Sequence, residues 1–192
     1  MGYFLFFVGI EGSGHHMMHD CLSSFLRTKK NIKANFELIS ENAFSTASFP
    51  YGKSRDEGKR PNLPSIFNSG VSTKIILLYR NPVDASYSAF RRFHHDPIEQ
   101  GILSDINLRY IQKNLLKYCP PTLGIKYEKF VQKPESYVKE LANFLECEEG
   151  LVAKDIRNVK PRSSRNFDDP SLHQLRAFFT NRAYPHLESL CQ

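Results

Sequence analysis

Cysteine is scarce in this chain and scattered where it occurs. Cys21, Cys119, Cys147 and Cys191 form no CxxC pair and keep no matching histidine spacing, which argues against a zinc site and against a disulfide framework. Thiols in a reducing compartment are the expectation. No stretch approaches the roughly 20 consecutive apolar residues that a membrane span requires. The opening MGYFLFFVG is short, lacks a basic flank and a small-residue cleavage site, and runs straight into a glycine loop, so it does not read as a secretory signal. A cytoplasmic protein with no membrane partner is expected. Internal repeats and low-complexity tracts are also missing, and the 192 residues suit one domain, 1 to 192, with room for a sizeable core. With 41% hydrophobic and 24% charged residues the composition is globular rather than disordered or fibrous. Lys and Arg outnumber Asp and Glu by 26 to 20, a formal charge of +6, which suits an anionic ligand and equally a solvated basic surface. The basic residues are not interleaved with aromatics in a stacking pattern, which argues against a nucleic-acid partner.

What is there begins at Phe4. The apolar run Phe4 to Val8 meets a loop with Gly9, Gly12 and Gly14, and the following residues turn apolar at helical spacing: Met17, Met18, Cys21, Leu22, Phe25 and Leu26. Strand, glycine loop, helix is the reading. Glycines let backbone amides approach a ligand with no side chain between, and a helix start adds unpaired N–H groups, so the loop should bind an oxyanion. GIEGSGHH keeps the GxxxxG frame of a P-loop, but His15 and His16 stand where the phosphate-binding Lys and the magnesium-holding Ser or Thr would be. An ordinary glycine turn between a strand and a helix is the plainer alternative.

Further along, NIKANFELIS (31 to 40) reads as a strand with Glu37 within it and Glu41 just beyond. Pro50 to Gly70 has no periodicity and reads as a long surface loop, either a functional lid or disordered. KIILLY (74 to 79) is a continuous apolar run of the kind a parallel strand buried on both faces shows. It ends at Arg80-Asn81-Pro82, and a helix opening at Asp84 follows, with Arg91, Arg92, His94 and His95 at its close. In open α/β sheets the ligand crevice lies at the carboxyl ends of the strands, so Arg80 should face the same crevice as the glycine loop. Asp105 to Tyr118 reads as an amphipathic helix, TLGIKY (122 to 127) as a strand, and Pro134 as the start of another helix. RNVKPRSSR (157 to 165) packs four cations and no acid, a solvated face or a phosphate-binding loop. Ser171 to Ser189 has helical spacing with a break near Tyr184-Pro185. Apolar runs alternating with helical patterns predict an α/β fold with a central parallel sheet, strands near 3 to 8, 32 to 39, 74 to 79 and 122 to 127, and helices on both faces.

These pieces resemble the sulfotransferases that use 3′-phosphoadenylyl sulfate (PAPS). GIEGSGHH resembles their 5′-phosphosulfate loop. LLYRNPVDASYSAF resembles their 3′-phosphate motif, in which an Arg ends a strand and a Ser eight residues later reaches the same phosphate; Arg80 and Ser88 have that spacing. Tyr127-Glu128 and the residues after it, KFVQKPESYVKELANFLE, are similar to the family's late strand, turn and proline-started helix. The resemblance runs from about Phe4 to the final helix, apart from Pro50 to Gly70. It implies a three-layer P-loop NTPase-like fold with a central parallel sheet, PAPS as co-substrate, 3′-phosphoadenosine 5′-phosphate (PAP) as product, and no metal. It also implies a PAPS site made of Gly12, Ser13, Gly14, His15, His16 and Met17 around the phosphosulfate, Arg80 and Ser88 on the 3′-phosphate, Tyr127 near the adenine, and Arg162 and Arg165 as a last phosphate contact. Many relatives carry a Lys at the position of Gly12; its absence here leaves His15 or His16 to supply a donor or cation.

The expected reaction is sulfuryl transfer to a hydroxyl or amine of a small-molecule or saccharide acceptor, which needs a base, in-line attack and donors for the leaving oxygen. Glu41 is the first candidate for the base and His94 the second. Two other readings stay open. A P-loop nucleotide kinase is opposed by KIILLY ending in Tyr79-Arg80 rather than in an acid for magnesium. A noncatalytic PAP-binding or anion-binding module is permitted by the missing lysine.

Overall fold

The middle strand explains the architecture. Ile75 to Tyr79 are buried, so the strand they form needs cover on both faces, and in a parallel sheet helical crossovers supply it. The structure, a computed structural model, describes residues 4 to 29, 64, 67, 68, 70, 72 to 93, 96 to 157, 159 and 168 to 191. Among these, strands β1 (Phe4–Val8), β2 (Thr73–Tyr79) and β3 (Thr122–Lys126) form one sheet in the order β1-β2-β3. Both pairings are parallel, with Phe6 opposite Ile75 and Ile76 opposite Leu123. The strand expected at 32 to 39 lies outside the described residues, as does nearly all of the loop expected at 50 to 70.

Helices α1 (His15–Cys21) and α2 (Ser23–Lys29) follow β1, and α3 (Pro82–Phe93) and α4 (Pro97–Tyr118) follow β2. After β3 come α5 (Tyr127–Gln132), a 3-10 turn (Pro134–Tyr137), α6 (Val138–Leu145), α7 (Glu149–Ile156), α8 (Pro170–Phe179) and α9 (Pro185–Leu190). No helix among the described residues is long and apolar enough to cross a membrane.

Alternate strand residues enter different cores. Phe6, Val8, Ile75, Leu77 and Tyr79 pack with Leu108, Ile111, Leu172, Leu175 and Leu187 from α4, α8 and α9. Leu5, Phe7, Ile76, Leu78 and Ile125 pack with Met18, Phe25, Phe130 and Leu141 from α1, α2, α5 and α6, and with Leu22 between the first two helices. Burying one such side chain stabilises the fold by about 1.5–3 kcal/mol, so the paired cores hold the strand ends to a fixed spacing.

Several boundaries differ from expectation. The helix expected from Asp84 begins at Pro82, because the Asn81 Oδ1 accepts from Val83 N at 3.0 Å and Asp84 N at 3.4 Å and so caps the first turn, with proline where its missing N–H costs nothing. The helix expected from Asp105 begins at Pro97, where the Asp96 carboxylate accepts from Ile98 N and Glu99 N. The turn expected after Tyr127 is the helix α5. Helix α7 was not foreseen; its Asp155 carboxylate accepts from the Ser23 and Ser24 hydroxyls and from Ser24 N at 2.5 Å, tying it to the start of α2.

Candidate functional site

Parallel strands bring their carboxyl ends to one edge of the sheet, where the exits of β1, β2 and β3 meet. The β1 exit is the glycine loop. Ser13 N donates to the Ile10 carbonyl at 3.1 Å, turning the chain, and Gly14 starts α1, its carbonyl accepting from Met18 N at 3.0 Å. Gly12 and Gly14 have φ of 82° and 102°, a region that residues with a Cβ enter at a cost. Space compounds the requirement. A Cβ on Gly9 would come within 2.6 Å of the Leu78 carbonyl oxygen, one on Gly12 would overlap the Ala85 carbonyl oxygen, and one on Gly14 would press on the Tyr127 ring at 2.9 Å. The loop therefore touches β2, the first turn of α3 and the start of α5.

Arg80 joins those parts. Its Nη1 donates to the Gly12 carbonyl at 2.7 Å, and its guanidinium carbon stands 4.4 Å from the centroid of the Tyr127 ring. One residue further along each chain, the Glu128 Oε1 accepts from Asn81 N at 2.9 Å, fastening the β3 exit to the β2 exit. Three sequence-distant segments thus form one joint.

The same joint holds buried polar atoms with no hydrogen-bond partner among the described residues: Ser13 Oγ, both ring nitrogens of His15, Arg80 Nε and Glu128 Oε2. Native interiors keep few such atoms, and their collection around a glycine loop fits a polar ligand with both donors and acceptors to satisfy. Burial, and next to it the neighbouring His16, push the His15 imidazole down to about 4, so His15 is neutral at pH 7. A neutral imidazole offers one N–H donor and one acceptor.

Of the residues picked from sequence, Gly12, Gly14, Arg80 and Tyr127 are in direct contact, with Ser13 and His15 buried in the same loop. His16 is exposed and Met17 half-buried on α1. Ser88 is half-buried on α3, about two turns beyond Asn81. Glu37, Glu41, His94, Arg162 and Arg165 lie outside the described residues. Sequence reasoning assigned no role to Asn81 or Glu128. The Asn-Pro dipeptide is a cap signal that could have marked the first; nothing local marks the second, whose partner is 47 residues away.

The family described as "Sulfotransferase domain" matches residues 5–176 of the chain. No curated protein matches it.

Proposed function

This chain belongs to the sulfotransferase domain family, and from that premise we propose that it moves the sulfuryl group of PAPS to a hydroxyl or amine of a small-molecule or saccharide acceptor and releases PAP. The observation that carries the reading is the joint of Gly12, Gly14, Arg80 and Tyr127 with the unpartnered Ser13, His15 and Arg80 atoms around it. PAPS, when bound, supplies an activated sulfuryl group on a good leaving phosphate.

The chain's own residues do the rest. Gly12 to Met17 cradle the phosphosulfate with backbone amides, and the Ser13 hydroxyl and the neutral His15 imidazole donate to its oxygens. Arg80 and Ser88 hold the 3′-phosphate, Tyr127 flanks the adenine, and Arg162 and Arg165 complete the phosphate contacts. A base, Glu41 ahead of His94, takes the acceptor proton as the acceptor oxygen or nitrogen bonds to sulfur and the bond from sulfur to the bridging oxygen breaks. His15 is neutral, so it offers the leaving oxygen a hydrogen-bond donor and no positive charge. The two cores on opposite faces of the sheet support a three-layer, P-loop NTPase-like arrangement; a single cytoplasmic domain that works without membrane or nucleic acid is part of the same proposal.

One observation favours a second reading. The Gly12 position, where relatives carry lysine, has no space for any side chain, which suits a noncatalytic PAP-binding module. Labelled PAPS offered to phenols, amines and saccharides, beside thermal shifts with PAP and with ATP·Mg²⁺, separates the cases. Label transfer supports the enzyme; a PAP shift without any transfer supports the binding module; a shift with ATP·Mg²⁺ and none with PAP supports a kinase.

A further inference from the structure

The Arg80 side chain is already engaged before any phosphate reaches it. Its Nη1 is spent on the Gly12 carbonyl, and its flat face rests against Tyr127, whose ring also closes over Gly14. Arg80 and Tyr127 therefore grip both left-handed glycines of the loop from one side, and the Ala85 carbonyl backs Gly12 from another. The far side of the Gly12 peptide plane is the Ser13 N–H, which donates to the Ile10 carbonyl at 3.1 Å, so the plane is pinned at both ends and fixes the direction in which Gly14 and the amides that open α1 follow. Loop amides that must converge on an anion gain from being held beforehand rather than ordered on binding.

We infer that Arg80 and Tyr127 act together as positioning residues for the glycine loop, so that anion capture by the loop depends on the Arg80–Gly12 bond and the Tyr127 ring even for a ligand with no 3′-phosphate. The inference rests on the proposed PAPS site and adds a coupling between its two phosphate subsites. Arginine suits the task where lysine does not, because a planar guanidinium can donate at its edge while its face lies on a ring.

Inorganic pyrophosphate, which has neither adenine nor a 3′-phosphate, is the probe, with PAP as comparator, both measured by calorimetry on variants that melt at the temperature of the parent. Arg80→Ala is expected to weaken pyrophosphate by about tenfold and PAP by more. Tyr127→Ala changes no charge and touches no pyrophosphate oxygen, yet should also weaken pyrophosphate several-fold, while Tyr127→Phe, which keeps the ring, should not. Arg80→Lys should recover only part of the loss. If Arg80→Ala fails to fold, the two Tyr127 variants decide the matter alone. Pyrophosphate affinity unchanged in Arg80→Ala and Tyr127→Ala, with PAP weakened in the first, overturns the positioning role and leaves the PAPS reading standing. A parent protein that binds neither probe overturns both.

Discussion

A side chain at Gly12 would run into the backbone of Ala85: the added carbon would overlap the Ala85 carbonyl oxygen and come within 2.9 Å of its carbonyl carbon. The first turn of α3 thus occupies the volume that a loop lysine needs. Gly12→Lys is therefore expected to lower the melting temperature and to abolish PAP binding rather than create or raise activity. The left-handed φ of 82° alone adds roughly 1–2 kcal/mol to the cost. Increased transfer from labelled PAPS by a stable Gly12→Lys protein would show that the loop and α3 are free to part.

Arg80 and Ser88 differ in what they should cost. In the proposed site, removing Arg80 takes away a charge-assisted bond to the 3′-phosphate and the hold on the loop, so Arg80→Ala should weaken PAP by roughly ten- to a hundredfold and adenosine 5′-monophosphate by less. Ser88→Ala should weaken PAP by about five- to tenfold and spare the monophosphate. Calorimetry with both nucleotides reads each number. Equal losses for the two ligands in Ser88→Ala would place Ser88 in the fold rather than at the phosphate.

His15 sets an acid limit. Its pKa is lowered from 6.5 to about 4 in the folded chain, so the neutral form favours folding. The associated stability is complete above pH 6.5 and is lost as the pH falls from 6.5 toward 4, by at most about 3 kcal/mol. Urea titrations of the parent and of His15→Gln across that range should show a slope in the first and a flatter profile in the second. An anion held in the loop favours the imidazolium, so PAP binding between those pH values should take up a proton, visible as a dependence of the binding heat on the buffer's ionisation enthalpy.

Two thiols should be inert in the native protein. Burial pushes Cys21 and Cys191 up to about 12, leaving almost no thiolate at neutral pH, whereas Cys119 is exposed on the turn after α4. Iodoacetamide followed by peptide mass analysis should find Cys119 modified first and Cys21 and Cys191 modified only after denaturation. Early labelling of Cys191 would mean that α9 lifts from the strand it covers.

How legible all this was depends on the range of the signal. Continuous apolar runs predicted β1 and β2 because a strand covered on both faces has no polar positions to interrupt it, and β3 followed as a further short strand after Pro120-Pro121. Helix α7 escaped because EGLVAKDI contains Gly150 and buries only Val152 and Ile156, too thin a stripe to stand out. The glycine loop and Arg80 were visible as types at a spacing. Their mutual contact was not, since the Arg80–Gly12 bond crosses 68 residues and leaves no trace in any local window. Burial also separates the two adjacent histidines in a way no local pattern shows: His15 is enclosed and neutral, His16 exposed.

That same separation has a kinetic side. Contacts across 68 and 47 residues form only after long stretches of chain have been closed into loops, and parallel pairings of this kind fold slowly compared with helical bundles. No fragment lacking one of the three strand exits can assemble the joint, and a partly folded chain with one pairing still open lacks it too. Nucleotide binding is then a reporter on the last step of assembly: in stopped-flow refolding, the capacity to bind PAP should emerge with the slowest phase, after most of the helical signal has returned.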